Sequence, residues 1–330
     1  MTNLENAVAN SLGLDEFSDA AIFGDEFDQP AETPEIARRE VKFDGWGRYA
    51  NLPPLPGETR SRPWTRASTL KDILTDKRNL DLWNMRQVLR GVAMRPELIR
   101  KLRDAVNDED TDFDSKQIKG WLNSIAEQAK DVAGSNKGSD AGTSFHSVAE
   151  LYDAGNPFTI GELLDRLDND QARMLAAYAH MLHAHEITPV KDLMERVVAV
   201  PEIEVVGRLD RVYEDQGVLK IGDLKSQKWE PGAFDGIPLC VQLAIYANAS
   251  WMLDEEAWEW RPFPDDIDKT TGLIMWVPAT QPGVTEVYDI DLEWGWDLAK
   301  ESYKIRNDWR KDKSRVKIRR KPPVALDDLR

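Results

Sequence analysis

At about Arg196 the hydrophobic period of the chain shortens from 3.6 residues towards 2, and this switch constrains the fold more than any other feature. Ahead of it, from Trp64 to about Lys130, apolar residues recur at helical spacing, as in LDLWNMRQVLRGVAM and QIKGWLNSIAEQA. STLKDIL offers a capping Ser or Thr. VAGSNKGSDAGTS reads as a Gly- and Ser-rich loop, followed by the helix SFHSVAELYDAG and a further helical region, GELLDRLDNDQARMLAAYAHMLHAH. Behind the switch, RVVAV, IEVVGRLDRVY and VLKIGDLKSQ read as strands, the last two joined by a turn around EDQG. LCVQLAIYANASWML then reads as a helix, GLIMWVPA and VTEVYDIDL as strands, and WDLAKESYKIRNDWRKDK as a final basic helix. This order predicts a mixed α/β domain with a helical N-terminal elaboration.

Of the 330 residues, 41% are hydrophobic and 12 are Trp, which is enough to build a packed core and excludes a wholly disordered or low-complexity chain. The apolar runs fall far short of the ~18 residues that a membrane span requires. The first residues, MTNLENAVANSLGL, lack the positive charge and apolar centre of a secretory signal. Cys240 is the only cysteine, so neither an intramolecular disulfide nor a multi-thiolate zinc or iron–sulfur site can be built from this chain. A soluble intracellular protein without membrane contact is expected.

The net charge of −16 argues against a polyanionic partner, but the charge is segregated. The first 35 residues carry nine acids and no Lys or Arg. Arg60 to Arg103 contains twelve basic and four acidic residues, and Lys304 to Lys321 ten and two. Both basic zones are candidate phosphate-binding faces, although Lys and Arg also serve simply to solvate helices. Residues 1 to about 60 are acidic, non-periodic and rich in breakers, and read as a poorly ordered leader. Phe17, Phe23 and Phe27 within it form a candidate docking motif for a partner.

Chemistry concentrates at Asp210, Asp223 and Lys225. Side chains two apart on a strand share a face, so Asp223 and Lys225 of DLK point the same way. A hairpin through EDQG brings Asp210 of GRLDRV beside Asp223. Two converging carboxylates repel unless a cation lies between them, and oxygen ligands suit Mg²⁺ or Mn²⁺. The Leu224 carbonyl offers another oxygen, and Lys225 is placed to orient a water or stabilise charge on a phosphate. Acids and lysines also alternate on ordinary solvated strand faces, so the triplet alone does not decide the matter. His146 of GTSFH precedes Glu150 by four residues on a helix; a neutral imidazole ligates divalent ions and is equally at home as a partly buried helix residue. Gln242 and Tyr246 lie four apart on one helix face, where core packing is the plainer explanation. His180, His183 and His185 lack a partnered carboxylate motif and read as ordinary helix residues.

Taken in order, GTSFH, GRLDRV, GDLKSQ and QLAIY resemble the RecB-like exonuclease branch of the PD-(D/E)XK nuclease superfamily, across the residues from Gly142 to Tyr246. The lead-in with Trp64 and Trp83 and the later basic helix resemble its phage-encoded members. The resemblance implies a restriction-endonuclease-like fold: a mixed central β-sheet flanked by helices. It implies that His146, Asp210 and Asp223 ligate Mg²⁺ or Mn²⁺ with the Leu224 carbonyl assisting, that Lys225 is the catalytic lysine, and that Gln242 and Tyr246 support the DNA strand or the active site. Glu195 corresponds to a less regular family acid and equally suits a helix surface. With one cysteine the chain groups with members that lack an iron–sulfur cluster.

The expected organisation is a leader (1–60), a helical N-terminal region (61–140), a nuclease core (141–300) and a basic C-terminal helix and tail (301–330). The expected function is divalent-metal-dependent cleavage of DNA to 5′-phosphate products, as an exonuclease in recombination, repair or replication. A recombination or replication protein is the expected partner of the leader, and the cytoplasm (of a host, if the gene is a phage's) the expected location. Two alternatives stay open: a structure-specific endonuclease using the same site, and a non-catalytic nucleic-acid-binding or assembly factor retaining the fold.

Overall fold

The computed structural model describes residues 40–106, 112–135, 137–155, 161, 167–231 and 236–312. In chain order its helices are α1 (Ala67–Lys71), α2 (Arg78–Met94), α3 (Pro96–Val106), α4 (Lys116–Val132), α5 (Lys137–Asp153), α6 (Asn169–Ala184), α7 (Gly236–Ala247) and α8 (Leu292–Tyr303). The strands are β1 (Thr65–Arg66), β2 (Ile187–Pro189), β3 (Val197–Val200), β4 (Val205–Arg208), β5 (Arg211–Asp215), β6 (Val218–Lys225), β7 (Trp251–Asp254), β8 (Glu259–Pro262), β9 (Thr271–Trp276) and β10 (Glu286–Asp291).

The strands form two mixed five-stranded sheets flanked by helices, in the orders β1-β4-β3-β7-β8 and β10-β9-β6-β5-β2. This is consistent with a restriction-endonuclease-like α/β fold, with two sheets in place of the one central sheet expected from sequence. The sheets meet where the chain leaves β4 and enters β5. Leu209 N–H donates to the Arg196 carbonyl and Glu195 N–H to the Asp210 carbonyl, both at 2.9 Å, so the β3–β4 ladder runs on to the junction. There Glu195 takes a left-handed φ of 51°, which re-aims the strand.

All four residues of β3 are buried because both faces of its sheet are covered. Val198 and Val200 join the core under α7 and α8, together with Val205, Val212, Ile221, Val241 and Leu292. Val197 and Ala199 join Tyr49, Leu52, Leu55, Trp64 and Trp260 on the opposite face. The second sheet packs Tyr213, Leu224, Leu273 and Met275 against Phe145 and Ala149 of α5 and Leu175, Tyr178 and Leu182 of α6. Helix starts are capped where sequence allows: Ser115 accepts from Ile118 N–H, Asp168 from Gln171 N–H, and Asp291 from Trp294 N–H.

Three expectations need correction. The acidic leader does not extend to residue 60: residues 40–64 include Tyr49, Leu52, Leu55 and Trp64, which are buried against the first sheet. Its docking motif of Phe17, Phe23 and Phe27, and residues 313–330 of the basic tail, lie outside the described residues. The Gly- and Ser-rich segment before His146 is helical from Lys137. Finally, the helix carrying QLAIY ends at Ala247 rather than running through Leu253. Ser250 N–H donates to the Ala199 carbonyl at 3.0 Å, and Trp251 and Met252 pair with β3. The open edge of β3 outweighs the helical pattern of an apolar segment that suits either state.

Candidate active site

Two residues, Gln216 and Gly217, close the β5–β6 hairpin with φ of 53° and 81°, the geometry of a tight primed turn. That turn sets the register: Asp215 pairs with Val218 and Arg211 with Gly222. One step further along the ladder, Asp210 stands opposite Asp223. The Leu224 N–H donates to Asp210 Oδ2 at 2.7 Å, pinning the first acid to the second strand. Asp223 and Lys225 share a strand face, and the Lys225 ammonium lies 2.5 Å from Asp223 Oδ2.

Helix α5 approaches the same junction with His146, Glu150 and Asp153, which lie along one face at four- and three-residue spacing. Burial pushes the His146 imidazole below its usual value, while Asp210, Arg211, Asp223 and Lys225 act on it with opposing signs. The ring is therefore neutral at pH 7, the form that ligates a cation. Burial, then the like charges of Asp210 and Glu150, push the Glu195 carboxyl up to about 7. Glu195 is thus at the junction of the sheets, not on a helix surface.

From the other side, α7 brings Gln242 and Tyr246. Gln242 Nε2 donates to Tyr246 Oη at 3.1 Å, and Lys71 Nζ of α1 donates to Gln242 Oε1 at 2.6 Å. Burial raises the Tyr246 phenol above its ordinary value, and Asp223 and Asp210 add to this. Tyr246 is therefore a neutral hydroxyl within the field of the two acids. All the residues selected from sequence gather around the β5–β6 junction: His146, Glu195, Asp210, Asp223, Leu224, Lys225, Gln242 and Tyr246.

The sequence of the PD-(D/E)XK nuclease superfamily, taken as a family model, matches residues 121–285, half of the 330-residue chain. The chain belongs to the PD-(D/E)XK nuclease superfamily. No curated protein matches it.

PD-(D/E)XK nucleases are nucleic-acid hydrolases that generally use divalent ions such as Mg²⁺ or Mn²⁺, and the residues at the junction fit such an ion in kind. Asp210, Asp223 and Glu195 supply carboxylate oxygens and His146 a neutral nitrogen, a hard donor set with no thiolate. Asp223 Oδ2 is buried and has no well-directed hydrogen bond, although the Lys225 ammonium is near. As folded, the acids are turned onto cations, Asp210 onto Arg211 and Asp223 onto Lys225. Among the described residues no three His, Cys, Asp or Glu side chains converge to ligating distance in this arrangement. No described helix is long and apolar enough to cross a membrane.

Sequence reasoning passed over several members of this site. Arg211 is 1% exposed and salt-bridges both Asp210 and Asp153. Asp153 was legible in principle, at i+7 from His146 on the helix where the sequence already sets Glu150 at i+4. Lys71 carried no signal, because nothing local links it to Gln242.

Proposed function

We propose that this PD-(D/E)XK protein is a Mg²⁺- or Mn²⁺-dependent DNA nuclease of the RecB-like, phage-type branch, acting as an exonuclease that leaves 5′-phosphates. The observation that carries this reading is Asp210 opposite Asp223 across the β5–β6 hairpin with the Lys225 ammonium beside them. His146, Asp210, Asp223 and the Leu224 carbonyl would hold the ion, with Glu195 as a further oxygen ligand. A divalent ion held there would supply Lewis-acid charge for activating water. Lys225, as a fixed ammonium, stabilises negative charge on the phosphate oxygens as water adds to phosphorus and the P–O3′ bond breaks. The 3′-oxygen leaves with a proton as the 3′-hydroxyl, and the phosphate stays on the 5′ side. Gln242 and Tyr246 offer an amide and a neutral phenol to the scissile strand.

Uncatalysed phosphodiester hydrolysis is slow enough that a barrier reduction on the order of 20 kcal/mol is required, so losing one member of this set is expected to be severe. DNA in recombination, repair or replication, the cytoplasm as location, and a replication or recombination protein as partner of residues 1–39 complete the proposal.

The test is cleavage of end-labelled linear DNA in a divalent-metal series, beside Asp223→Ala and Lys225→Ala. Each variant is expected to lose at least about a hundredfold in rate while retaining its fold. A rate near that of the parent in either variant overturns the reading. Cutting of a circular single strand overturns exonuclease action in favour of an endonuclease at the same site. Metal-independent DNA binding without cleavage favours a non-catalytic assembly role.

A further inference from the structure

A chain of buried polar groups crosses the otherwise apolar interface between the second sheet and helices α5 and α6. The Tyr213 and Tyr178 hydroxyls are hydrogen-bonded at 3.0 Å, and Tyr178 Oη donates to Asp153 Oδ2 at 3.0 Å. Arg211 Nε donates to the same oxygen at 2.6 Å, and Arg211 Nη1 donates to Asp210 Oδ1. Asp210 Oδ2 then accepts from Leu224 N–H. Asp153 and Arg211 are 9% and 1% exposed, Tyr178 and Tyr213 fully buried. A buried ion pair is seldom the most stable filling for such a space, since apolar side chains of similar volume serve as well or better. Its presence here calls for another explanation.

The charges provide one. Asp153, Arg211 and Asp210 together carry −1. Had Arg211 met Asp210 alone, the pair would be neutral and the guanidinium would compete with any cation for that carboxylate. With Asp153 holding Nε, one guanidinium is divided between two acids, and Asp210 keeps net negative character towards the junction. At this depth solvent screens a neighbouring charge poorly, so one unit at the far end of the guanidinium is felt at the near end.

We propose that Asp153 is a positioning residue that acts through Arg211, holding the guanidinium back so that Asp210 presents its charge to a divalent cation. This rests on the metal-dependent reading above and goes beyond it, because Asp153 is bonded to Arg211 and Tyr178 and would act on the ion only through the guanidinium.

The experiment is Mn²⁺ titration of the full-length protein by calorimetry at pH 8, for the parent chain and for Asp223→Ala, Asp153→Asn, Arg211→Gln and the Asp153→Asn/Arg211→Gln double variant. Asp153→Asn is expected to weaken Mn²⁺ binding about tenfold, and the double variant, which restores the net charge, to return to within about threefold of the parent. Arg211→Gln alone is expected to bind within about threefold of the double variant, because without the guanidinium Asp153 has nothing to act through. If Asp153→Asn does not fold, Arg211→Gln decides the matter: with the guanidinium gone, Asp210 is expected to bind Mn²⁺ at least as tightly as in the parent. Unchanged affinity in Asp153→Asn, a double variant weaker than Asp153→Asn, a double variant more than about threefold weaker than Arg211→Gln, or weaker binding by Arg211→Gln than by the parent overturns the proposal. If Mn²⁺ binding by the parent is absent, or is unaffected in Asp223→Ala, the metal-site reading itself fails. Loss in Asp223→Ala with no effect of Asp153 leaves that reading standing and removes only this one.

Discussion

Lys71 and Gln242, 171 residues apart in the chain, meet at 2.6 Å, with the lysine ammonium on the amide oxygen. This contact fixes which way the amide faces. With Oε1 held by the ammonium, Nε2 is turned to donate to Tyr246 Oη, and the phenol must direct its own proton elsewhere. A short N-terminal helix outside the family-matched residues thereby sets the polarity of a hydroxyl inside them.

Lys71→Met is therefore expected to lower kcat about tenfold with a smaller change in KM, and Lys71→Arg to recover part of the loss. Steady-state cleavage of linear DNA by the three proteins checks this. If Lys71→Met changes only KM, the lysine serves substrate binding and not the amide.

Glu195 makes stability depend on pH. Its carboxyl titrates at about 7 in the fold, against 4.5 for a free glutamate, so the folded state holds this proton more tightly than the unfolded chain. The stabilising effect of protonation is complete below about 4.5 and is lost as the pH rises through about 7. Glu195→Gln is expected to raise the urea midpoint at pH 8 and to leave it nearly unchanged at pH 5, measured in EDTA. The gain is on the order of 1 kcal/mol once solvent screening of this partly exposed group is allowed for. The same shift at both pH values would show that the carboxyl is not raised.

Gly207 lies against the Tyr246 ring. A Cβ there would come within 2.6 Å of Tyr246 Cε1 and 2.8 Å of Ala67 Cβ, so both the ring and α1 must move. Gly207→Ala is expected to cost about 1–3 kcal/mol of stability. Because the ring carries the hydroxyl held by Gln242, cleavage should fall by more than in Tyr246→Phe. Urea unfolding and cleavage rates, measured together, test both halves.

Helices α2 and α4 cross at Gly91, where an added Cβ would fall on the backbone carbonyl of Ala129. Gly91→Ala is expected to part these helices without disturbing the sheets. Hydrogen exchange should accelerate within 78–132 and stay slow within 205–225. Uniform acceleration across both segments would show that the helical region and the sheets unfold as one unit.

The candidate site was legible where local rules govern. The alternation of DLK placed Asp223 and Lys225 on one face, and the Gln216-Gly217 turn fixed the register that sets Asp210 opposite Asp223. The i, i+4 spacing of Gln242 and Tyr246 likewise gave their hydrogen bond. The pattern failed where two conformations satisfy it equally: Trp251 to Leu253 suits a helix face as well as a strand, and only the free edge of β3 selected the strand. It also failed for residues 40–64, whose breakers resemble a linker although Leu52 and Trp64 are buried.

The sequence by itself determined the α/β class, the β5–β6 hairpin and the placing of Asp210 opposite Asp223, because these follow from periodicity and turn geometry over a few residues. The tertiary structure alone decided that the strands divide into two sheets meeting at Glu195. It also decided that Asp153 and Arg211 are buried behind Asp210, and that Lys71 reaches Gln242. Those outcomes depend on which surfaces are covered and which charges are desolvated together, and burial is a property of the packed chain that no local spacing encodes.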